Sequence, residues 1–168
     1  MKRTLKVSIF TIVTLLLGIT YNNSLNNNSS CINVYVDFGV LDNNSKIIEC
    51  VPANGEQKAL SILSQAGIIV SGTEKYGNQI VCRVNNLPSS SQPIGIKEHE
   101  SYVEKCKDMP AEFAYWALLV RFKSAVPDKL NPTGGWGWSQ VGAADLKLNP
   151  GDSIGLVFSE NENVAFPS

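Results

Sequence analysis

Residues 52–67, PANGEQKALSILSQAG, decide the fold, because here the apolar residues recur at helical spacing in a chain otherwise patterned for strands. Ala59, Leu60, Leu63 and Ala66 form one stripe, with Ile62 beside it. Asn54 is placed to cap the helix, Gln57 to reach back in capping-box fashion, and Gly67 to take the left-handed conformation that ends it. The stretch predicts a helix that packs by this stripe on a sheet, with its residues serving as core.

Working outward, INVYVDFGV (32–40) alternates, with Ile32, Val34, Val36 and Phe38 on one face and Asn33, Tyr35 and Asp37 on the other, as in a half-buried strand. LDNNSK has turn chemistry and IIEC reads as a returning strand, so 32–50 is an expected hairpin. A symmetric hairpin centred near residues 40 and 41 sets Cys31 opposite Cys50, within disulfide reach. IIVSGT (68–73) and NQIVCRVNNLP (78–88) read as strands joined by EKYG. Residues 89–110 read as a long loop with one helical turn around 98–105. FAYWALLVRF (113–122) reads as a central strand, with Trp116, Leu118, Val120 and Phe122 on one face and Phe113, Tyr115, Leu119 and Arg121 on the other. Both faces are apolar, so both are covered, or one binds something. DLKL, a turn at NPGD and a last strand SIGLVF (153–158) complete an α+β domain, strands around one helix, without internal repeat.

The first 30 residues read differently. MKRTLK is basic and VSIFTIVTLLLGITY (7–21) is an apolar run of 15, short for a membrane span and suited to a secretory signal. Residues 1–30 are therefore expected to be an export signal, or an N-terminal anchor if uncleaved, followed by the Asn/Ser-rich spacer YNNSLNNNSS. Residues 31–168 are expected to form one domain, long enough to bury roughly two thirds of its chain surface. Setting aside Lys2, Arg3 and Lys6, 11 basic residues face 15 acidic ones, a net of −4 and no footprint for nucleic acid. The four cysteines, Cys31, Cys50, Cys82 and Cys106, suit two disulfides in an oxidising compartment. Zinc is disfavoured by the single histidine and the lack of a Cys-x-x-Cys pair. The expected location is secreted or cell-surface.

Catalytic constellations are scarce. His99 lies between Glu98 and Glu100 in a charged loop with no nucleophile motif, and reads as a solvated side chain. Carboxylates two apart on a loop are ordinary solubilising residues, and GGWGWSQVG (134–142) lacks the lysine and the strand-to-helix setting of a phosphate loop. The chain is expected not to be an enzyme. Its best functional clue is aromatic: Tyr76, Tyr115, Trp116, Trp136 and Trp138. In an extended GGWGWSQVG, Trp136 and Trp138 share one face, while Gly135, Gly137 and Ser139 leave the other nearly bare. Either the protein's own core covers these rings or they form a platform for a flat ligand.

Taken in order, VYVDFG, ALSILSQAGIIVSGTEKYGNQIVCRVNNLP, MPAEFAYW, GGWGWSQVGA and NPGDSIGLVF resemble, over about residues 32–158, the small secreted bacterial domain similar to the C-terminal domain of transcobalamin and intrinsic factor. The resemblance implies one helix packed on small antiparallel or mixed sheets in a β-grasp-like manner, and a non-catalytic exported binding domain. Animal members grip cobalamin between this domain and a helical barrel. The barrel is missing here, so cobalamin binding is expected to be weak or to need another protein. The resemblance also implies a Cys82–Cys106 bond, closing a loop of about 25 residues and contributing about 3 kcal/mol in the chain-entropy model, with Cys31–Cys50 as the remainder. This chain departs from the bacterial pattern at Ala117 to Val120, where that pattern has more aromatics and a histidine, and at Leu156, where it has tryptophan. Two functions are expected in turn. The first is a binding module for a corrinoid-like or other flat molecule on Trp136, Trp138 and Tyr115, with no cofactor firmly implied. The second is a surface interaction module that engages a transporter or other protein through a sheet edge or the 89–110 loop.

Overall fold

A computed structural model describes residues 30–123 and 135–168. The expected export signal, most of the spacer and the connection 124–134 lie outside the described residues. The chain runs through β1 (Cys31–Asp37), a 3-10 turn (Gly39–Asp42), β2 (Lys46–Pro52), β3 (Gln57–Lys58), α1 (Ala59–Gln65), β4 (Val70–Thr73) and β5 (Gly77–Val84). It continues through β6 (Ala114–Arg121), β7 (Gly137–Trp138), β8 (Lys147–Leu148) and β9 (Ser153–Glu160). A five-stranded sheet has the order β2-β1-β9-β6-β7, while β3–β8 and β4–β5 form two-stranded ribbons. The large sheet is mixed, since β1 and β9 run parallel and its other neighbours antiparallel. One α-helix with mixed and antiparallel sheets makes an α+β domain.

Alternation sets the core. Ile32, Val34 and Val36 of β1, Ile154, Leu156 and Phe158 of β9, and Trp116 and Val120 of β6 turn one sheet face toward Ala59, Ile62 and Leu63 of α1. Ile62 and Leu63 are fully buried, each contributing about 1.5–3 kcal/mol. The opposite face carries a smaller cluster of Ala117, Leu119, Val157 and Trp136, with Tyr35, Tyr115, Val164 and Phe166 packed against it. β6 is thus covered on both sides, although it lies next to the short edge strand β7 and β9 occupies the sheet's centre.

Several local expectations are corrected by tertiary pairing. No capping box forms at α1: Gln57 and Lys58 pair with Leu148 and Lys147, Lys58 is the N-cap without a side-chain cap, and Ala59 N–H donates to the Leu146 carbonyl at 2.9 Å. At the other end Gly67 has φ +75°, and Ile68 N–H reaches back to the Leu63 carbonyl at 2.8 Å, as a left-handed cap requires. The hairpin forms with a different register. Cys31 lies opposite Pro52 and Asn33 opposite Cys50, so the Cys31–Cys50 disulfide crosses the ladder diagonally with Cα atoms 5.4 Å apart. The helical turn expected around 98–105 is absent; an isolated bridge between Ile96 and His99 and a succession of turns stand there. Cys82 and Cys106 are bonded, Cα to Cα 5.8 Å, which draws the end of that loop onto β5. NPGD is a turn in which Asp152 N–H donates to the Asn149 carbonyl at 2.9 Å and Gly151 has φ +96°, the left-handed third position of a type II turn.

Candidate functional site

The three tryptophans have three environments. Trp116 belongs to the main core: its ring meets Phe38 and Phe158 edge-on, each at 5.5 Å between centroids, and its Nε1 donates to the Leu87 carbonyl at 3.1 Å. Trp136 is only 5% exposed and lies on the second face against β9 at Gly155, where a Cβ would come 3.2 Å from Trp136 Cζ3 and 3.3 Å from Leu119 Cβ. The Arg121 guanidinium covers the same ring at 5.4 Å. Trp138, two residues on, pairs with Leu119 and is 45% exposed. Its ring lies 6.3 Å from that of Tyr115, tilted by 31°.

Trp138 and Tyr115 stand at a cleft of about 530 Å³. Its floor is the edge of β6 at Tyr115, Trp116 and Leu118, one wall is the chain from Trp138 to Gly142, and the other is β5 at Gln79 to Val81. Met109, Pro110 and Glu112 form the rim. The walls are held firmly. Gln79 Nε2 donates to Asp145 at 2.6 Å, Ala144 N–H donates to the Asn78 carbonyl at 3.1 Å, and a Cβ at Gly142 would collide with Gln79. Ser139 Oγ donates to the Val141 carbonyl at 2.7 Å, bending the chain away from β6 just after Trp138. Met109 and Val141, at the rim and the wall, are exposed apolar side chains, and among the described residues Glu112 is the one charged residue of the lining.

Of the five aromatic residues singled out by sequence, the fold therefore brings Tyr115, Trp116 and Trp138 to one cleft, with Trp116 contributing mainly from the core side. Trp136 and Tyr76 do not line it. Tyr76 sits at the β4–β5 turn with the Lys75 ammonium 5.0 Å from its ring centroid. Sequence reasoning missed Met109, Glu112 and Val141. A signal for the first two existed: bonding Cys106 to Cys82 necessarily carries the following CKDMP segment to β5. There Glu74 N–H donates to the Cys106 carbonyl at 2.7 Å and Lys75 N–H to that of Lys107 at 3.1 Å. The Lys75–Asp108 pair at 2.8 Å adds to this attachment, its hydrogen bond raising the lysine's pKa and lowering the carboxyl's.

Several titratable groups serve to pack the segment after β5. Glu104 is buried and accepts from the Tyr102 hydroxyl and from Cys106 N–H, both at 2.6 Å, while Arg83 donates to its carbonyl at 2.8 Å. Burial, reinforced by Glu104, pushes the Tyr102 hydroxyl up to about 12. Cys82, Glu104 and Cys106 bring ligand-type atoms within 4.8 Å of one another, but both sulfurs are spent in the disulfide. His99 stacks flat on Phe113, centroids 3.6 Å apart, so the expected solvated side chain is half-buried packing.

The fold and site define a small, doubly disulfide-bonded α+β domain with an aromatic-flanked cleft at a sheet edge. Comparison with protein-family models, with curated proteins and with solved structures finds no match.

Proposed function

We propose that this chain is an exported, non-catalytic binding module and that its site is the cleft beside Tyr115 and Trp138. One observation carries the reading: an indole left 45% exposed next to a second aromatic ring, over a concave cleft of about 530 Å³. That volume lies in the range of about 300–1,000 Å³ usual for small-molecule sites. Covering these rings returns the hydrophobic free energy that their exposure forgoes. The flat, apolar part of a ligand rests on Tyr115 and Trp138. A corrinoid-like molecule, the kind the transcobalamin resemblance implies, enters edge-on and leaves the rest of its ring for a second protein, as in a vitamin-uptake accessory working with a membrane transporter. The helix lying on a mixed sheet is, in this reading, β-grasp-like. Export is supported by the two disulfides, which suit an oxidising compartment, and by the signal-like N-terminal sequence. Among the described residues no helix is long and apolar enough to cross a membrane.

A second reading, a surface module that engages another protein, is favoured by the edge of β6 beside the exposed side chains of Met109 and Val141. Titrating the disulfide-bonded protein with cobalamin, cobinamide and a panel of vitamins, followed by tryptophan emission corrected for ligand absorbance, separates the two. Small-molecule binding predicts saturable quenching that Trp138→Ala abolishes without changing the melting temperature. A flat response, or one equal in Trp138→Ala, rejects the small-molecule site.

A further inference from the structure

β6 is unevenly partnered. On one side β9 pairs with all of it, from Ala114 opposite Glu160 to Arg121 opposite Ser153; on the other, β7 meets only Leu119 and Val120. In an antiparallel strand the N–H and C=O of one residue point to the same side, and the side alternates along the chain. The Leu118 carbonyl accepts Ser139 N–H at 3.0 Å and Ala114 N–H reaches the Ala111 carbonyl at 2.9 Å, whereas the Phe113 carbonyl accepts Asn161 N–H on the β9 side at 3.0 Å. The alternation therefore turns the N–H and C=O of Trp116 and the N–H of Leu118 toward the β7 side. Among the described residues no backbone hydrogen bond is made to them there. The strand that would have done so ends at Trp138, because the Ser139 turn carries the chain across to Gln79. The gap left beside β6 is the cleft itself.

Resting on the cleft as the binding site, we infer that the same cleft also takes an extended peptide segment carrying a basic side chain, which adds to β6 as a strand continuing the line of β7. Unpaired ladder groups discriminate between ligands. A flat ring satisfies Tyr115 and Trp138 but leaves Trp116 and Leu118 unpaired, whereas a peptide backbone supplies donor and acceptor at the required spacing. Its side chains alternate, one set toward the exposed Trp138 and half-buried Tyr115 rings and the other toward the helix-facing side of the cleft. Charge selects among peptides. Among the described residues Glu112 is the only charged one of the lining and has no ion-pair partner, so a lysine or arginine is attracted and an acidic residue repelled.

The test is selection of a phage-displayed library of random linear seven-residue peptides on the immobilised, disulfide-bonded protein, with the Trp138→Ala protein selected in parallel. The expected result is enrichment of peptides rich in basic and β-branched residues on the unaltered protein only. A synthetic copy of a selected peptide should bind at least tenfold more weakly when alternate backbone amides are N-methylated, and Glu112→Gln should weaken the basic peptide. No enrichment, or N-methylated peptides that bind as well as their parents, overturns strand addition. If peptides fail while cobinamide or another small molecule still quenches Trp138, only this inference falls; if both fail, the cleft is not the binding site.

Discussion

Gly155 determines what Trp136 does. It stands in β9, the strand shared by β1 and β6, and its missing side chain is the space into which the indole edge fits. Adding one methyl group there sets it 3.2 Å from Trp136 Cζ3 and 3.3 Å from Leu119 Cβ, both on packed residues with little room to yield. Gly155→Ala should therefore lower stability by about 1–3 kcal/mol, the usual cost of overpacking. Urea unfolding followed by tryptophan emission checks it, with Gly55→Ala as control, since a Cβ at Gly55 meets nothing within 4 Å. Equal midpoints for the two variants would mean that Trp136 is not seated on β9 as described. The sequence made the alternation of Trp136 and Trp138 legible, but not their separate fates. Those depend on a glycine far along the chain and on β7 ending where Ser139 turns.

At the level of elements, the irregular segment after β5 is held by the Cys82–Cys106 bond, the buried Ile96 and polar groups rather than by a ladder. Arg83 donates to the carbonyls of Pro88 and Glu104, and Tyr102 and Cys106 N–H share the Glu104 carboxylate. This attachment has a pH limit. Below about 10, the ordinary tyrosine value, Tyr102 is protonated in both folded and unfolded chains and its contribution is complete. Between there and about 12 the unfolded chain loses the proton first, so folding grows less favourable as pH rises. The urea midpoint should fall over this interval more steeply for the unaltered protein than for Tyr102→Phe, and parallel profiles would refute the assignment. Of the longer elements, β1 and α1 were legible because each carries its own period, and β5, β6 and β9 because each is a run of largely apolar residues bounded by turn signals. The two-residue strands β3 and β8 carry none, being pairings that only the assembled molecule makes, and β7 shows only the alternation of Trp136 and Trp138. The capping box failed for the same reason: β8, some 90 residues later, takes the backbone of Gln57 and Lys58. Likewise the hairpin, connected through the 3-10 turn at Gly39–Asp42, is centred between Leu41 and Asp42, one residue later than expected.

Across the whole molecule, the large sheet is closed by its last strand. β9 lies between β1 and β6, pairing with one in parallel and the other antiparallel, and it supplies Ile154, Leu156 and Phe158 to one core and Val157 to the other. A chain stopped after Asp152 loses all of these and leaves two apolar strands without their common neighbour. It should show no cooperative thermal transition and should be digested by protease under conditions where the full chain resists. A truncated chain that melted cooperatively would contradict the topology. For a chain made from its N-terminus, this arrangement sets an order of events. Whatever hairpins and helix form early, the hydrophobic surfaces of β1 and β6 cannot be sealed until the segment up to Glu160 has emerged. The segment that ends at Glu160 thus completes both faces of the large sheet last.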